Sequence, residues 1–161
     1  MPRTIKLSVE EWCKLAREGV ALPITTTLKW VSMEPLIRAY KDPVTFIPIN
    51  RELIPGDVIL FERQDGAFVC HRVYKILDNG ETILTWGDNA ENPDAPIPRS
   101  AALGLAVAFE KNGKRYVLDS DEQRQKGLKW LENKWKRPAF IQYRKARLKM
   151  EIALREKGLL K

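Results

Sequence analysis

The order of apolar and polar positions divides the chain into a long β-patterned stretch between two helical ones. Ser8-Val9-Glu10-Glu11 has the form of a capping box, with the Ser8 hydroxyl placed to cap the helix and Glu11 three residues on. The pattern predicts a short helix over 8–18, with Trp12 and Leu15 on its buried face and Gly19 ending it. From Leu22 the period falls to two. Ile24, Thr26, Leu28 and Trp30 alternate with Thr25, Thr27 and Lys29, as on a half-buried strand rich in β-branched residues. Further strands are expected over 44–49, 57–62, 67–77, 82–86, 101–110 and 115–118. Turn signals separate them, among them Asn79-Gly80 and Asn112-Gly113, whose residues tolerate the positive φ of a tight hairpin. Many short strands punctuated this way predict a mostly β fold of coiled antiparallel sheets, barrel-like in arrangement. From Ser120 the period becomes helical through Leu128, Leu131, Trp135, Phe140, Ile141, Leu148, Ile152 and Leu159. Pro138 lacks a backbone N–H and is expected to break this stretch into two amphipathic helices. The organisation expected is a β domain over 1–119 and a helical extension over 120–161.

Composition narrows the class. With 161 residues, 44% hydrophobic and 30% charged, the chain suits one globular domain. No stretch approaches the roughly 18 apolar residues of a membrane-spanning helix, and the uncharged run 100–109 has strand length. The first residues carry acidic side chains where a signal peptide carries its apolar region. A cytoplasmic setting is expected. Cys13 and Cys70 lack CxxC spacing and are accompanied by a single His, so no metal, cofactor or disulfide framework is expected.

The net charge of +7 is concentrated. Residues 123–161 hold 13 Lys+Arg against 3 Asp+Glu, a local +10, and the other 122 residues sum to −3. The acidic body argues against nucleic acid as a partner. The basic tail, with Trp130, Trp135, Phe140 and Tyr143 interleaved, has two readings. Either its aromatics pack the helices onto the β domain, or they join the cations in a peripheral contact with an anionic membrane.

Four short segments carry the candidate chemistry: Ser32-Met33-Glu34-Pro35, Pro55-Gly56-Asp57-Val58-Ile59, His71-Arg72-Val73, and Gly87-Asp88-Asn89 followed by Asp94. Each alone is explained by turn or strand chemistry. In this order and spacing, over roughly 28–105, they resemble the type I signal peptidase family. The likeness is to the Ser-His-Asp branch of archaea, the endoplasmic reticulum and some sporulating bacteria. The main bacterial branch has Lys at the position of His71, and the self-cleaving repressors of the DNA-damage response share the clan.

The resemblance implies a fold of coiled antiparallel sheets with the nucleophile exposed at a groove, where a polypeptide binds as an added strand. It implies Ser32 as nucleophile, His71 as its base, Asp94 as the carboxylate that orients His71, and Asp88 as a residue holding the turn. Pro35 is implied beside the substrate, and so is Met33, whose apolar side chain could equally fill the core. The His is chemically intelligible. A Lys base has a reference pKa near ~10.4 and needs desolvation to be neutral, whereas an imidazole, near ~6.5, needs orientation. A carboxylate accepting the second ring N–H supplies that orientation.

Two features depart from the family. Where it reads Ser-Gly-Ser-Met, this chain reads Trp30-Val31-Ser32-Met33. The hydroxyl that commonly serves the oxyanion is missing, while the Ser32 backbone N–H remains. The family's N-terminal membrane anchor is also not evident, which argues against cleavage of secretory signal peptides. The expected function is a soluble serine endopeptidase acting on an intracellular peptide or protein precursor through an acyl-enzyme. A non-catalytic peptide-binding relative and a self-processing regulator are the alternatives, the latter weakened because 31 residues before Ser32 leave room for one helix.

Overall fold

A computed structural model describes residues 7–159; the outermost residues of the two expected regions, 1–6 and 160–161, lie outside the described part. The helix at the start, α1 (Val9–Arg17), is opened by the Ser8/Glu11 capping box with both reciprocal bonds formed. It buries Trp12 and Cys13, while Leu15 is only half-buried. The Trp12 ring lies against Gly104, so close that a β-carbon there would meet it at 2.8 Å.

Among the described residues eight strands follow: β1 (Ile24–Thr27), β2 (Pro43–Pro48), β3 (Val58–Glu62), β4 (Phe68–Leu77), β5 (Thr82–Trp86), β6 (Ile97–Pro98), β7 (Ala102–Lys111) and β8 (Lys114–Val117). They form one sheet in the order β1-β2-β7-β3-β4-β5-β6, with β8 paired to β7. Every pairing is antiparallel. The sheet is curled into a half-barrel, so the fold is mostly β, as the periodicity predicts. Its two faces are both covered. Val58 and Leu60 of β3 join a cluster with Trp12, Met33 and Phe46. Ile59 and Phe61, one residue out of phase, join a second cluster with Val73, Ile83 and Leu105. Successive side chains on a strand point to opposite faces, so a strand covered on both sides reads as an unbroken apolar run.

The differences from the sequence expectation fall at loops and breaks. The first strand stops at Thr27, and Trp30, expected on its buried face, is 67% exposed. The chain instead turns away, and the Tyr40 N–H donates to the Leu28 carbonyl at 2.7 Å, closing the loop that carries Ser32. The two-residue β6 has no sequence pattern and exists through its pairing with Thr82 and Ile83.

Two helices complete the described residues, α2 (Asp121–Leu131) and α3 (Lys136–Glu156). Pro138 does not separate them. It occupies the first turn of α3, where an N–H has no helical acceptor and proline is tolerated. The break lies at 132–135, where Asn133 Oδ1 accepts from the Trp135 and Lys136 N–H groups at 3.1 and 2.7 Å. Among the described residues no helix is long and apolar enough to cross a membrane.

Candidate active site

Ser32 lies in a 3-10 turn, Val31–Met33, in the loop between β1 and β2. His71 and Arg72 are consecutive on β4, where they pair with Ile59 and Val58 of β3. Their opposite orientations decide the site, because each takes one carboxylate from the loop that follows β5. His71 Nδ1 bonds Asp94 Oδ2 at 2.6 Å. Arg72 Nε and Nη2 donate to the two oxygens of Asp88 at 3.0 and 2.8 Å, and Nη1 donates to the Gly56 carbonyl at 2.9 Å. Arg72 and Asp88 are fully buried, as a mutually satisfied pair can be.

Asp94 is itself anchored twice to Thr85. Its N–H donates to the Thr85 carbonyl at 2.9 Å, and Thr85 Oγ1 donates to Asp94 Oδ2 at 2.7 Å. Burial works to raise the Asp94 carboxyl, but the hydrogen bond and charge of His71, the Thr85 hydroxyl and the charge of Arg63 hold it below its ordinary value. Asp94 is therefore a carboxylate at neutral pH. It accepts the His71 Nδ1–H, a proton placement assigned from the hydrogen-bond network, and in the tautomer whose one proton sits there Nε2 is the acceptor.

Nε2 faces Gly87. A β-carbon built there would lie 2.9 Å from Nε2 and 3.0 Å from the Ser32 carbonyl oxygen, so only glycine fits where the imidazole and the Ser32 loop converge. Ser32 and His71 line one cavity of about 380 Å³ with Trp30, Arg63, Phe68 and Val69. A second cavity of about 340 Å³, bounded by Phe61, Asp94 and Ile97, adjoins it across Arg63. Together they form an open, largely apolar trough past the His71 ring, with Arg63 as its central cation. Arg63 forms an ion pair with Asp65 in the β3–β4 turn.

Ser32 and His71 thus line one cavity and Asp94 bonds His71 from its other ring nitrogen, with Asp88 on the far side of β4 from His71. Met33 does not reach the trough. It is fully buried in the core with Trp12 and Phe46, which makes it a packing residue and corrects the expectation of substrate contact. Pro35, joined to Glu34 by a cis peptide, lines cavities on the opposite side of the loop, towards α2 and α3. Glu34 is half-buried and paired with Arg144 of α3 at 2.6 Å. Cys13 and Cys70 are buried and free. Burial pushes the Cys13 thiol up to about 12 and raises Cys70 as well, so neither is a thiolate nucleophile. Among the described residues no group of His, Cys, Asp or Glu is arranged to hold a metal ion.

Sequence reasoning missed several residues around the site. Thr85 carries no local signal beyond lying two residues before Gly87. The C-terminal helices also reach the site, from behind. Trp130 Nε1 donates to the Asp88 carbonyl at 2.9 Å. Arg137 donates to the Gly87 and Ala90 carbonyls and stacks its guanidinium over Trp86, 4.3 Å from the ring centre. Trp130 also packs edge-on against Phe140. These two tail aromatics therefore pack α2 and α3 onto the β domain, while Trp135 and Tyr143 are exposed. No known family model matches the chain, and no curated protein matches it.

Proposed function

We propose that the protein is a serine endopeptidase that cleaves a polypeptide by acyl-enzyme chemistry, with Ser32, His71 and Asp94 as its triad. One observation carries the reading: His71 is held by Asp94 through one ring nitrogen while the other faces the Ser32 loop in a shared cavity. In the reaction, Nε2 takes the Ser32 hydroxyl proton as the oxygen attacks the peptide carbonyl carbon. The carbonyl electrons move onto oxygen, stabilised by the Ser32 N–H. When they return, the C–N bond breaks, and the imidazolium gives its proton to the departing amine. Water, deprotonated by the same Nε2, then hydrolyses the ester. Asp94 remains ionised throughout and stabilises the imidazolium. The apolar walls formed by Phe68 and Val69 suit a short apolar side chain next to the cut bond. The substrate class is an intracellular peptide or protein precursor.

The exposed Trp30 supports a second reading, a non-catalytic relative that binds an extended peptide. Its indole lines the cavity where the resembling family has a donor hydroxyl. One experiment separates the two. A fluorophosphonate probe should label the wild-type chain at Ser32 and fail to label Ser32→Ala or His71→Ala, all three folding alike. An unlabelled wild-type chain would leave peptide binding as the function.

A contact between α3 and an anionic membrane belongs to the same proposal. Leu148, Met150 and Ile152 are exposed on α3 among Lys145, Arg147, Lys149 and Arg155. Such a surface suits shallow, reversible binding to acidic headgroups.

A further inference from the structure

We propose that Asn89 is a positioning residue for the oxyanion donor, holding the two peptide planes on either side of Ser32, and that the C-terminal helices keep it in register. This rests on the triad reading above. The Asn89 N–H donates to the Ser32 carbonyl at 2.8 Å. Its side-chain Nδ2 donates to the Val31 carbonyl at 3.2 Å. The second contact matters for chemistry because the Val31 carbonyl and the Ser32 N–H belong to one rigid peptide unit. In a trans peptide they point in opposite directions, so fixing the carbonyl fixes the line of the N–H. Donation to the carbonyl also polarises the unit and strengthens its N–H as a donor. With tryptophan at position 30, that N–H is the donor left beside the nucleophile.

The amide orientation is set by its partner, since reversing it would turn Oδ1 towards the Val31 carbonyl, acceptor against acceptor. The orientation has a cost. Asn89 Oδ1 is buried with no donor, a state uncommon in native proteins and one that calls for an explanation. An amide held with its oxygen unpaired serves the Val31 contact rather than its own solvation.

The turn that presents Asn89 is clamped from behind. The neighbouring carbonyls of Gly87, Asp88 and Ala90 are the acceptors for Arg137 and Trp130. Two helices outside the four-box region thereby set the geometry of the nucleophile loop through three backbone oxygens. The extension over 120–161 is a working part of the site.

The test uses the full chain and a fluorophosphonate whose labelling is followed to saturation, giving a maximal rate and an apparent affinity. Asn89→Asp preserves shape and removes the donor, and Asn89→Ala removes both contacting side-chain atoms. Asn89→Ala should lower the maximal rate by ~10–10²-fold while leaving the apparent affinity and the pH profile at wild-type values, and Asn89→Asp, whose carboxylate also meets the Val31 carbonyl acceptor against acceptor, should lower the rate at least as far and the melting temperature with it. Trp130→Phe, which removes the N–H to Asp88 together with part of the ring, should give a smaller loss of the same kind. The phosphorus NMR resonance of the adduct, which reports donors to the phosphonyl oxygen, should shift in the Asn89 variants. The proposal is overturned if Asn89→Asp labels at the wild-type rate, or if losses across the set simply follow thermal stability with the adduct resonance unmoved. If the wild-type chain is not labelled, the triad reading fails first and this proposal falls with it.

Discussion

Gly127 of α2 lies directly over the guanidinium of Arg72. A β-carbon at Gly127 would stand 2.1 Å from Arg72 Cζ, well inside any real contact distance. The planar guanidinium is sandwiched between helix backbone and sheet while its donors reach Asp88 and Gly56. A helix interior is a costly place for glycine, by roughly 1 kcal/mol relative to alanine, and this contact explains it.

Gly127→Ala should therefore destabilise the protein despite its better helix propensity. Displacing a fully buried ion pair or lifting α2 away should cost about 1–3 kcal/mol, the range of core overpacking. Denaturant unfolding would measure it. Stability equal to or above wild type would mean that α2 is loosely seated.

Thr85→Val tests the support of Asp94 at constant shape. Losing the hydroxyl removes one influence that holds the Asp94 carboxyl below its ordinary value, so that value should rise. Because the folded carboxyl is depressed, its contribution to stability is present above the unfolded pKa and is lost as pH falls through the folded one. The variant should thus lose labelling at a higher pH than wild type, while its melting temperature should lie below wild type's at neutral pH and approach it as pH falls through the folded values. A pH series of both quantities from about 3 to 8, spanning the carboxylate range, would show the displacement. Superimposable profiles would mean that Thr85 does not tune Asp94.

Trp30→Ser tests the missing hydroxyl. Trp30 is 67% exposed and outside the core, so its removal should shift the melting temperature little. If the oxyanion site lacks a donor, the labelling rate should rise by up to ~10²-fold. A stable variant with an unchanged rate would remove the oxyanion argument for this position.

Membrane contact through α3 predicts co-sedimentation of the full chain with phosphatidylserine-containing vesicles at low salt, weaker at physiological salt and negligible with phosphatidylcholine alone. Each basic residue near an anionic surface contributes about 1 kcal/mol, so binding should be reversible. Replacing the exposed Leu148 and Ile152 by Ser should reduce binding without loss of fold. A full-length chain that stays in the supernatant with anionic vesicles at low salt has no such role.

Much of the fold was legible in the chain itself. The Ser8/Glu11 box opens α1, the alternation along 44–49 and 82–86 matches β2 and β5 closely, and Asn112-Gly113 forms a turn with both φ values positive. These features depend on contacts within a few residues, where sterics and the periods of 2 and 3.6 act directly. The four boxes also named Ser32, His71 and Asp94 as candidates. What the tertiary structure decided is which groups meet. Met33 and Trp30 are both large and apolar, yet one is fully buried and the other exposed, because the loop after Thr27 leaves the sheet. Asp88 and Asp94 are chemically alike. Their division between Arg72 and His71 follows from the alternation of β4, which sends adjacent residues to opposite faces, and from the path of the loop that carries both. The grip of Trp130 and Arg137 on the turn bearing Asn89 joins residues more than 40 positions apart. No local pattern encodes such a meeting, because it depends on where the packed sheet and helices bring distant backbone carbonyls, and only the assembled fold determines that.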